Sequence, residues 1–294
     1  MNEAEWRSTY GIGGGLELPL VSIIAINWNY ERYLATALAS TGAQDYPRVE
    51  IIVIDNHSND GSVALIEDFV ARHPATRFIP MPTNLGQLGA AHRFFSTHAV
   101  GGELIAFLDT DDFLFPNFVS HHVRAHAAFG GKLALSSSAT VQVGPTGALI
   151  AGGIPHDRFI EMDGWPRISL PPGSTGQSAA IQVPAEATGW LWNPGTSNMI
   201  RRSTVDALMA ALPQDIPRDH CLDNVALPFA HEEGGSLLLE APLSAYRTHG
   251  YNASSSMPRL QHFNPHRPAH IAASQTQGAW FRSSRIPKAS QTRP

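Results

Sequence analysis

Residues 103–112 read ELIAFLDTDD, an apolar run that ends in three carboxylates within four positions. A short aliphatic run bounded by polar residues predicts a strand that is buried on both faces, as in a parallel sheet. Two earlier segments have the same form: LVSIIAIN at Leu20–Asn27 ends in an asparagine, and VEIIVID at Val49–Asp55 ends in an aspartate. These three segments predict the central strands of one sheet, with polar side chains at their carboxyl ends.

Segments with helical spacing alternate with strands along residues 20–143. Four segments repeat apolar residues at intervals of three and four, which predicts helices: RYLATALASTGAQ, SVALIEDFVARH, QLGAAHRFFSTHA and PNFVSHHVRAHAAF. Two further segments predict strands: TRFIPMP and KLALSSSATVQV. The resulting order, β-α-β-α-β-α-β-α-β, predicts a doubly wound α/β sheet. Such sheets bind ligands at the carboxyl ends of their strands, which is where Asp55 and Asp109 are expected to lie.

The acidic cluster Asp109-Thr110-Asp111-Asp112 favours a divalent-metal site. Carboxylates held together at a sheet edge repel one another, and a hard cation relieves that repulsion. Mg²⁺ and Mn²⁺ bind through one or two carboxylates together with substrate phosphates. The structural alternative is an acidic turn or a helix N-terminus, both of which favour aspartate. Asp55 likewise has a functional and a structural interpretation. It accepts hydrogen bonds from a nucleotide base or ribose, or it initiates a turn.

Composition excludes some classes of protein. The net charge of −5 over 294 residues argues against a protein that binds nucleic acid through a basic face. Cys221 is the single cysteine, so no intramolecular disulfide can form, and a reducing cytoplasm is the simplest location. The N-terminus does not have the pattern of a signal peptide, and no apolar run is long enough for a transmembrane helix. Peripheral association with the inner face of a membrane stays open, as does a homodimer.

Changes in composition predict the domain organisation. Residues 1–18 are rich in glycine and predict a flexible leader. Residues 19–256 are expected to form the main domain, with a ligand-binding half at about 19–143 and a second half at about 144–256. Within the second half, residues 144–189 are dense in Pro, Gly and Ser and predict a long loop region or a small excursion. Residues 257–294, rich in Pro, His, Ser and Arg, predict a disordered or loosely docked tail.

Six segments in this order resemble the family-2 glycosyltransferases. They are VSIIAINWNYERYLATALAS, YPRVEIIVIDNHSNDGS, NLGQLGAAHRFF, GELIAFLDTDDFLFPNFV, GTSNMIRRSTVDAL and LDNVALPFAHEEGGSLLLEAPLSAYRTHGYN. The resemblance covers roughly residues 19–256, with a poor match between about 144 and 189. It implies the GT-A fold, in which helices flank a Rossmann-like, mostly parallel sheet and an acceptor-side region follows.

The resemblance also implies roles for individual residues. Asp55 matches the acidic residue that contacts the nucleobase. Asp109 and Asp111 match the outer positions of the DxD motif, which binds the ribose and the metal-bridged diphosphate, and Asp112 extends that motif. His249 matches a late histidine that in some relatives approaches the metal, which would be Mg²⁺ or Mn²⁺. The donor-binding set further includes Asn27, Asn29 and Asn56.

For the catalytic base the resemblance favours Asp223 over Asp219, because Asp223 keeps the family's usual distance to the strand that begins after Gly234. Two positions depart from the family pattern: Asn56 replaces the second residue of an Asp-Asp pair, and Leu222 replaces the glutamate before the base. The implied reaction is inverting transfer of a sugar from a nucleotide-diphosphate sugar to a hydroxyl of a glycan, lipid-linked or small-molecule acceptor.

Two other functions remain open from the sequence. A non-catalytic module that binds nucleotide sugars or glycans is compatible with Leu222 in place of glutamate. A sugar nucleotidyltransferase would need a glycine-rich, basic phosphate loop after the first strand, and the NWNYER segment there does not supply one.

Overall fold

The computed structural model is an α/β structure in which helices cover both faces of a curled sheet. It describes residues 1–129, 133–154, 167–169, 179–187, 192–250, 252, 277 and 279–283. The helices are α1 (Glu3–Tyr10), α2 (Glu31–Gly42), α3 (Ser62–Arg72), α4 (Gly86–Thr97), α5 (Phe118–Ala128), α6 (Arg202–Ala211) and α7 (Leu222–Gly234). The strands are β1 (Val21–Asn27), β2 (Val49–Asp55), β3 (Arg77–Pro80), β4 (Leu104–Asp109), β5 (Phe113–Leu114), β6 (Leu135–Val143), β7 (Leu149–Ile154), β8 (Arg167–Ser169), β9 (Ala179–Val183), β10 (Asn198–Arg201) and β11 (Ser236–Arg247).

Within the described ranges these strands form one sheet, in the order β3-β2-β1-β4-β10-β6-β11-β9-β8, with β5 on β11 and β7 on β6. The first four of these neighbours, β3, β2, β1 and β4, pair in parallel. The antiparallel strand β10 joins β4 to β6, and β6 pairs in parallel with β11. The alternation of strands and helices predicted for residues 20–143 is confirmed.

Register places the predicted site residues at one edge. Asn27, the last residue of β1, lies opposite Asp55 of β2, and Ile26 lies opposite Asp109 of β4. Since parallel strands end at the same edge, three polar positions that are far apart in sequence become neighbours. The chain then continues from each of them into a loop and a helix.

The core divides into two layers because side chains alternate along each strand. Ile24 and Ile26 of β1 face a cluster that includes Phe94 of α4 and Val225 of α7. Ile23 and Ala25 face the opposite cluster, which helices α1, α2, α3 and α5 cover. Among the described residues, no helix is long and apolar enough to cross a membrane.

The predicted flexible leader is wrong for residues 3–10, which form α1. Asn2 caps this helix in a capping box with Glu5, and Gly11 ends it with a φ of 65°. Trp6 is fully buried and donates from Nε1 to the Ser120 hydroxyl at 2.6 Å. The Asn2-x-x-Glu5 pattern is the sequence signal for this helix, and the glycines that follow it obscure the signal.

The segment predicted as a long loop region or a small excursion contains strands where the structure describes it. β7 pairs antiparallel with β6, and β9 pairs antiparallel with β11 and with β8. These strands are short, and β7 contains the pair Gly152-Gly153, so their apolar pattern is weak. Residues 155–166, 170–178, 188 and 189 of this segment lie outside the described ranges.

The few tail residues that the structure describes, 277 and 279–283, lie against the body of the protein. Phe281 is 5% exposed, packs against Phe229 of α7 and belongs to the core cluster. Trp280 meets the His220 ring edge-on, with 4.4 Å between ring centroids. This part of the tail therefore packs on the body of the protein.

A single substitution tests this packing. Phe281→Ala is expected to lower the free energy of unfolding by about 3 kcal/mol, because it removes a buried aromatic ring from a packed site. Arg282→Ala, at an exposed neighbouring position, is the matched control and should change stability little. Equal denaturant midpoints for the two variants would show that this part of the tail is only loosely docked.

Candidate functional site

The edge formed by β1, β2 and β4 is held together by Asn27. Its Nδ2 donates to Asp55 Oδ1 and to the Ser58 hydroxyl, each at 3.0 Å, and its Oδ1 accepts from the Thr110 hydroxyl at 2.9 Å. Asp55 also accepts from the Ser58 N–H at 2.9 Å and is 3% exposed. The structure thus brings Asn27 and Asp55 together, and Asp55 also adopts the turn-initiating role.

Asn29 and Asn56 lie in the adjoining loops. Asn29 has a positive φ of 58°, and its side-chain oxygen accepts from the Asn59 N–H at 2.8 Å. Asn56 donates from Nδ2 to Asn84 Oδ1 and to the Gly86 carbonyl, and it accepts from the Leu85 N–H at 2.9 Å. An aspartate at position 56 could not make those two donations. The departure from the family pattern therefore corresponds to a side chain that braces the loop before α4.

Asp111 forms the centre of a second group of polar side chains. Its Oδ2 lies 3.0 Å from His249 Nε2 and accepts from Asn252 Nδ2 at 3.1 Å. Asp111, His249 and Asn252 are each less than a tenth exposed. The Asn252 side chain also accepts from the His249 N–H and donates to the Arg247 carbonyl, so it fixes the segment after β11. The structure thus places Asp111 beside His249.

Asp112 faces the interior of the protein. One carboxylate oxygen accepts from the Thr196 hydroxyl at 2.9 Å, and the other accepts from the Arg247 N–H at 2.8 Å. Arg247 also donates from Nε to the Asp111 carbonyl at 2.7 Å. Asp112 thus connects the acidic loop to β11, and the structure does not bring it to the Asp111–His249 pair.

Asp109 and Asp223 both lie close to Gly195. A Cβ atom on Gly195 would be 3.4 Å from Asp109 Oδ2 and 3.5 Å from Asp223 Cβ. Both aspartates line a narrow crevice with Gln87, Asn198 and several apolar side chains. Burial raises the pKa of Asp109 well above its usual value, and the Asp111 and Asp223 carboxylates raise it further. The two carboxylates therefore approach each other beside Gly195.

Asp223 is in the first turn of α7, whereas Asp219 precedes the helix. Burial raises the pKa of Asp223, and hydrogen bonds from backbone N–H groups, including that of Asn224, partly offset this effect. The Asp219 side chain is 87% exposed and contacts His220. Of the two candidates for the base, Asp223 is the one that lies beside Asp109. Burial raises the pKa of the neighbouring Cys221 to about 12, so this residue is an uncharged thiol at neutral pH.

Aromatic rings enclose the Asp111–His249 pair. Tyr33 stacks on the His249 ring at 4.7 Å between centroids, and Tyr30 approaches it edge-on at 5.7 Å. The Arg247 guanidinium lies 4.9 Å from the centre of the Tyr33 ring. Burial and then the Asp111 carboxylate raise the pKa of Tyr30, which keeps its phenol protonated.

The donor set at this edge fits a hard divalent cation. Within the described part of the chain, no three His, Cys, Asp or Glu side chains are already arranged around one metal position. The pair of Asp111 and His249, with Asp109 nearby, leaves coordination positions for water and substrate oxygens. Asp111 and Asp109 supply the one or two carboxylates through which Mg²⁺ usually binds before phosphates complete its shell, and the His249 imidazole would add a nitrogen ligand.

Several residues of this site are missed by the sequence reasoning: Trp28, Tyr30, Gln87, Gly195, Arg247 and Asn252. Each lies within or beside a segment that carries the family resemblance, but side chains such as Gln87 acquire their significance only through contacts with distant residues. Asn252 is an exception, since the spacing His249-x-x-Asn252 at the end of the last matching segment is visible in the sequence.

Comparison with known proteins agrees with this geometry. Residues 22–152 match the family model described as glycosyl transferase family 2. An uncharacterised glycosyltransferase of Haemophilus influenzae is 35% identical over 99 residues, which make up 34% of this chain and 39% of that relative. The aligned part of this chain therefore spans less than half the length of that relative.

Two solved structures share the fold. S. aureus TarS in complex with UDP-GlcNAc has a TM-score of 0.57 at 15% identity, covering 90% of this chain and 72% of that one. The mannosyltransferase PcManGT from Pyrobaculum calidifontis, in complex with GDP-Man and Mn²⁺, has a TM-score of 0.57 at 14% identity, covering 91% and 73%. These similarities confirm the predicted GT-A fold class.

Proposed function

We propose that this chain, whose residues 22–152 belong to glycosyl transferase family 2, transfers a sugar from a nucleotide-diphosphate sugar to a hydroxyl acceptor with inversion at the anomeric carbon. The observation that carries the proposal is the convergence of Asp109 and Asp223 on Gly195. Asp109 belongs to the acidic donor-side loop, and Asp223 begins a helix of the second half. A donor bound at the first carboxylate would present its reacting carbon close to the second.

The nucleoside is assigned to the edge where β1 and β2 end. Hydrogen bonds within the protein fix Asp55 and Asn27 there, and the lone pairs that remain on the Asp55 carboxylate suit a base or a ribose. Trp28 follows Asn27 directly, and this residue is 50% exposed. An exposed aromatic face beside buried polar groups suits a nucleobase, which stacks on one and hydrogen-bonds to the others.

A divalent cation, Mg²⁺ or Mn²⁺, is assigned to Asp111, Asp109 and His249. When bound, it would neutralise the negative charge that develops on the departing diphosphate. The aromatic rings around His249 exclude water and hold the imidazole in place, while Asn252 orients Asp111. The presence of Mn²⁺ with GDP-Man in PcManGT supports this assignment.

Asp223 is assigned the role of the general base. It accepts the proton of the acceptor hydroxyl as the acceptor oxygen bonds to the anomeric carbon and the bond from that carbon to the diphosphate oxygen breaks. One carboxylate acting on the face opposite the leaving group gives inversion. Leu222 is 2% exposed and packs in the core, so at the position of the family's glutamate this chain offers no second carboxylate.

A nucleotide-sugar panel tests the proposal. Thermal shift with and without Mn²⁺ or Mg²⁺ should reveal a donor that stabilises the fold by about 2.7 kcal/mol at a hundredfold excess over Kd. Release of the nucleoside diphosphate in the presence of glycan, lipid-linked or small-molecule acceptors should then follow. Binding without turnover would instead favour the non-catalytic nucleotide-sugar module, and the absence of binding by any nucleotide sugar would contradict both.

Removal of the exposed ring tests the nucleoside site. Trp28→Ala is expected to weaken nucleoside-diphosphate binding by about 10-fold, since stacking of a base on an aromatic ring contributes roughly 1–3 kcal/mol. Leu16→Ala, which removes another exposed apolar side chain near the opposite end of β1, is the matched control. Equal Kd values for the two variants by calorimetry would exclude stacking on Trp28.

A further inference from the structure

The helix that carries Asp223 begins without a side-chain cap of its own. Its N-cap residue is Cys221, whose side chain accepts no hydrogen bond from the first turn. The first N–H groups of a helix lack partners within the helix and need acceptors from elsewhere. Here Gln87 Oε1, which belongs to α4, accepts from the Leu222 N–H at 2.9 Å. The first residue of α7 is thus capped by a side chain from the donor-binding half.

The other end of the same amide is bound to Asp109. Gln87 donates a hydrogen bond from Nε2 to Asp109 Oδ1. A single planar group therefore joins the donor-side carboxylate to the backbone of Leu222, directly before Asp223. Glutamine suits this bridge because its amide donates on one side and accepts on the other, and neither glutamate nor methionine can do both.

The backbone around Gln87 is fixed against the same segment. Gly86 has a φ of 73°, and a Cβ atom on it would lie 2.2 Å from the Arg218 carbonyl oxygen. Arg218 in turn donates from Nε to the Asn84 carbonyl at 2.6 Å. Asn56 holds this loop from the end of β2. Gln87 therefore follows a loop that is anchored on both sides. Because the loop is fixed, the Gln87 side chain can fix the position of Leu222 relative to Asp109.

We propose that Gln87 is a positioning residue that fixes the separation between Asp109 and the base Asp223. The proposal rests on the proposed function, because it takes Asp109 as a donor-side residue and Asp223 as the base. Gln87 acts on the reacting groups only through its hydrogen-bond partners, the Asp109 carboxylate and the Leu222 N–H. Replacement of Gln87 should leave both carboxylates present, but the distance between them should no longer be fixed.

The chain offers a matched control at the same helix end. Gln277 Oε1 accepts from the Cys221 N–H at 3.3 Å and from Asn224 Nδ2 at 2.8 Å. Gln277→Met thus removes a glutamine contact from the start of α7, as Gln87→Met does, and Gln277 does not bridge to Asp109 in the described structure. Gln87→Glu separates the two halves of the bridge, since it keeps an acceptor for Leu222 and places a negative charge beside Asp109.

The experiment combines hydrogen exchange with kinetics. Gln87→Met should speed amide exchange at Leu222 and lower kcat by roughly 10- to 100-fold, the scale of a misplacement of about 1 Å. It should also lower transfer to the acceptor more than hydrolysis of the donor, because water needs less precise placement. Gln277→Met should lower kcat less. Gln87→Glu should leave the exchange of Leu222 slow and raise the KM for the donor.

Two results would overturn the proposal. Unchanged exchange at Leu222 in Gln87→Met would show that the bridge does not hold the helix, and this result does not depend on any activity. Equal losses of kcat in the two methionine variants, with an unchanged ratio of transfer to hydrolysis, would reduce Gln87 to a structural role. If the wild-type protein turns over no nucleotide sugar, the proposed function fails, and the exchange measurement alone decides whether Gln87 positions α7.

Discussion

Asp223→Asn is expected to lower kcat by about 100-fold or more while donor binding survives, because asparagine keeps the size of the side chain but cannot accept the proton. Because its pKa is raised, Asp223 is a stronger base than an exposed aspartate. Its loss should therefore lower the rate of the chemical step. The measurement is steady-state kinetics together with the donor Kd by calorimetry.

Asp219→Asn is the control for this substitution. Its side chain is 87% exposed, so the variant should retain most of the wild-type rate. A normal rate for Asp223→Asn, combined with an inactive Asp219→Asn, would transfer the role of base to Asp219.

Asp111→Asn is expected to weaken the binding of nucleoside diphosphate in the presence of Mn²⁺ by about 100-fold, because loss of a metal ligand costs at least as much as loss of the groups that orient one. EDTA should weaken wild-type binding to a similar extent. The Asp111 carboxylate lies beside His249 and Asn252, so the substitution removes the negative charge at the centre of that group.

Asp112→Asn separates metal binding from folding. Both carboxylate oxygens of Asp112 accept hydrogen bonds within the protein, from the Thr196 hydroxyl and the Arg247 N–H. Asp112→Asn should therefore lower the melting temperature more than Asp111→Asn does. It should affect the metal requirement less. Nucleotide affinity that EDTA leaves unchanged would show that the metal assignment is wrong.

Much of the fold was predictable because it depends on local patterns. The apolar strands and the helical spacing between them fix the order of β1, β2, β3 and β4 and the helices that follow them. Their parallel pairing then brings Asp55 and Asp109 to the same edge, as the sequence reasoning expected. The composition of the two chain ends predicted their structure less well. At the N-terminus a capping box starts α1 although glycines follow the helix. In the polar tail Phe281 makes an apolar contact with the core.

The site was predictable only where a residue's role follows from its own place in a strand or motif. Asp111 and His249 could be paired through the family resemblance, and the structure places them 3.0 Å apart. Asp112 looks equivalent to Asp111 in sequence, but the turn after β4 points it toward Thr196 and Arg247. Gln87 lies 22 residues from Asp109 and 135 from Leu222 along the chain. No local pattern reveals such a bridge, because it depends on how α4 and α7 pack together.

The configuration of the sugar at the moment of release tests the central claim most directly. Incubation of the protein and Mn²⁺ with an α-linked nucleotide sugar that binds, monitored by proton NMR before the anomers equilibrate, should give the β product with an acceptor or with water. Asp223→Asn should abolish the signal. Release of the α anomer would contradict a single-base inverting mechanism, and a lack of turnover with every nucleotide sugar that binds would contradict catalysis.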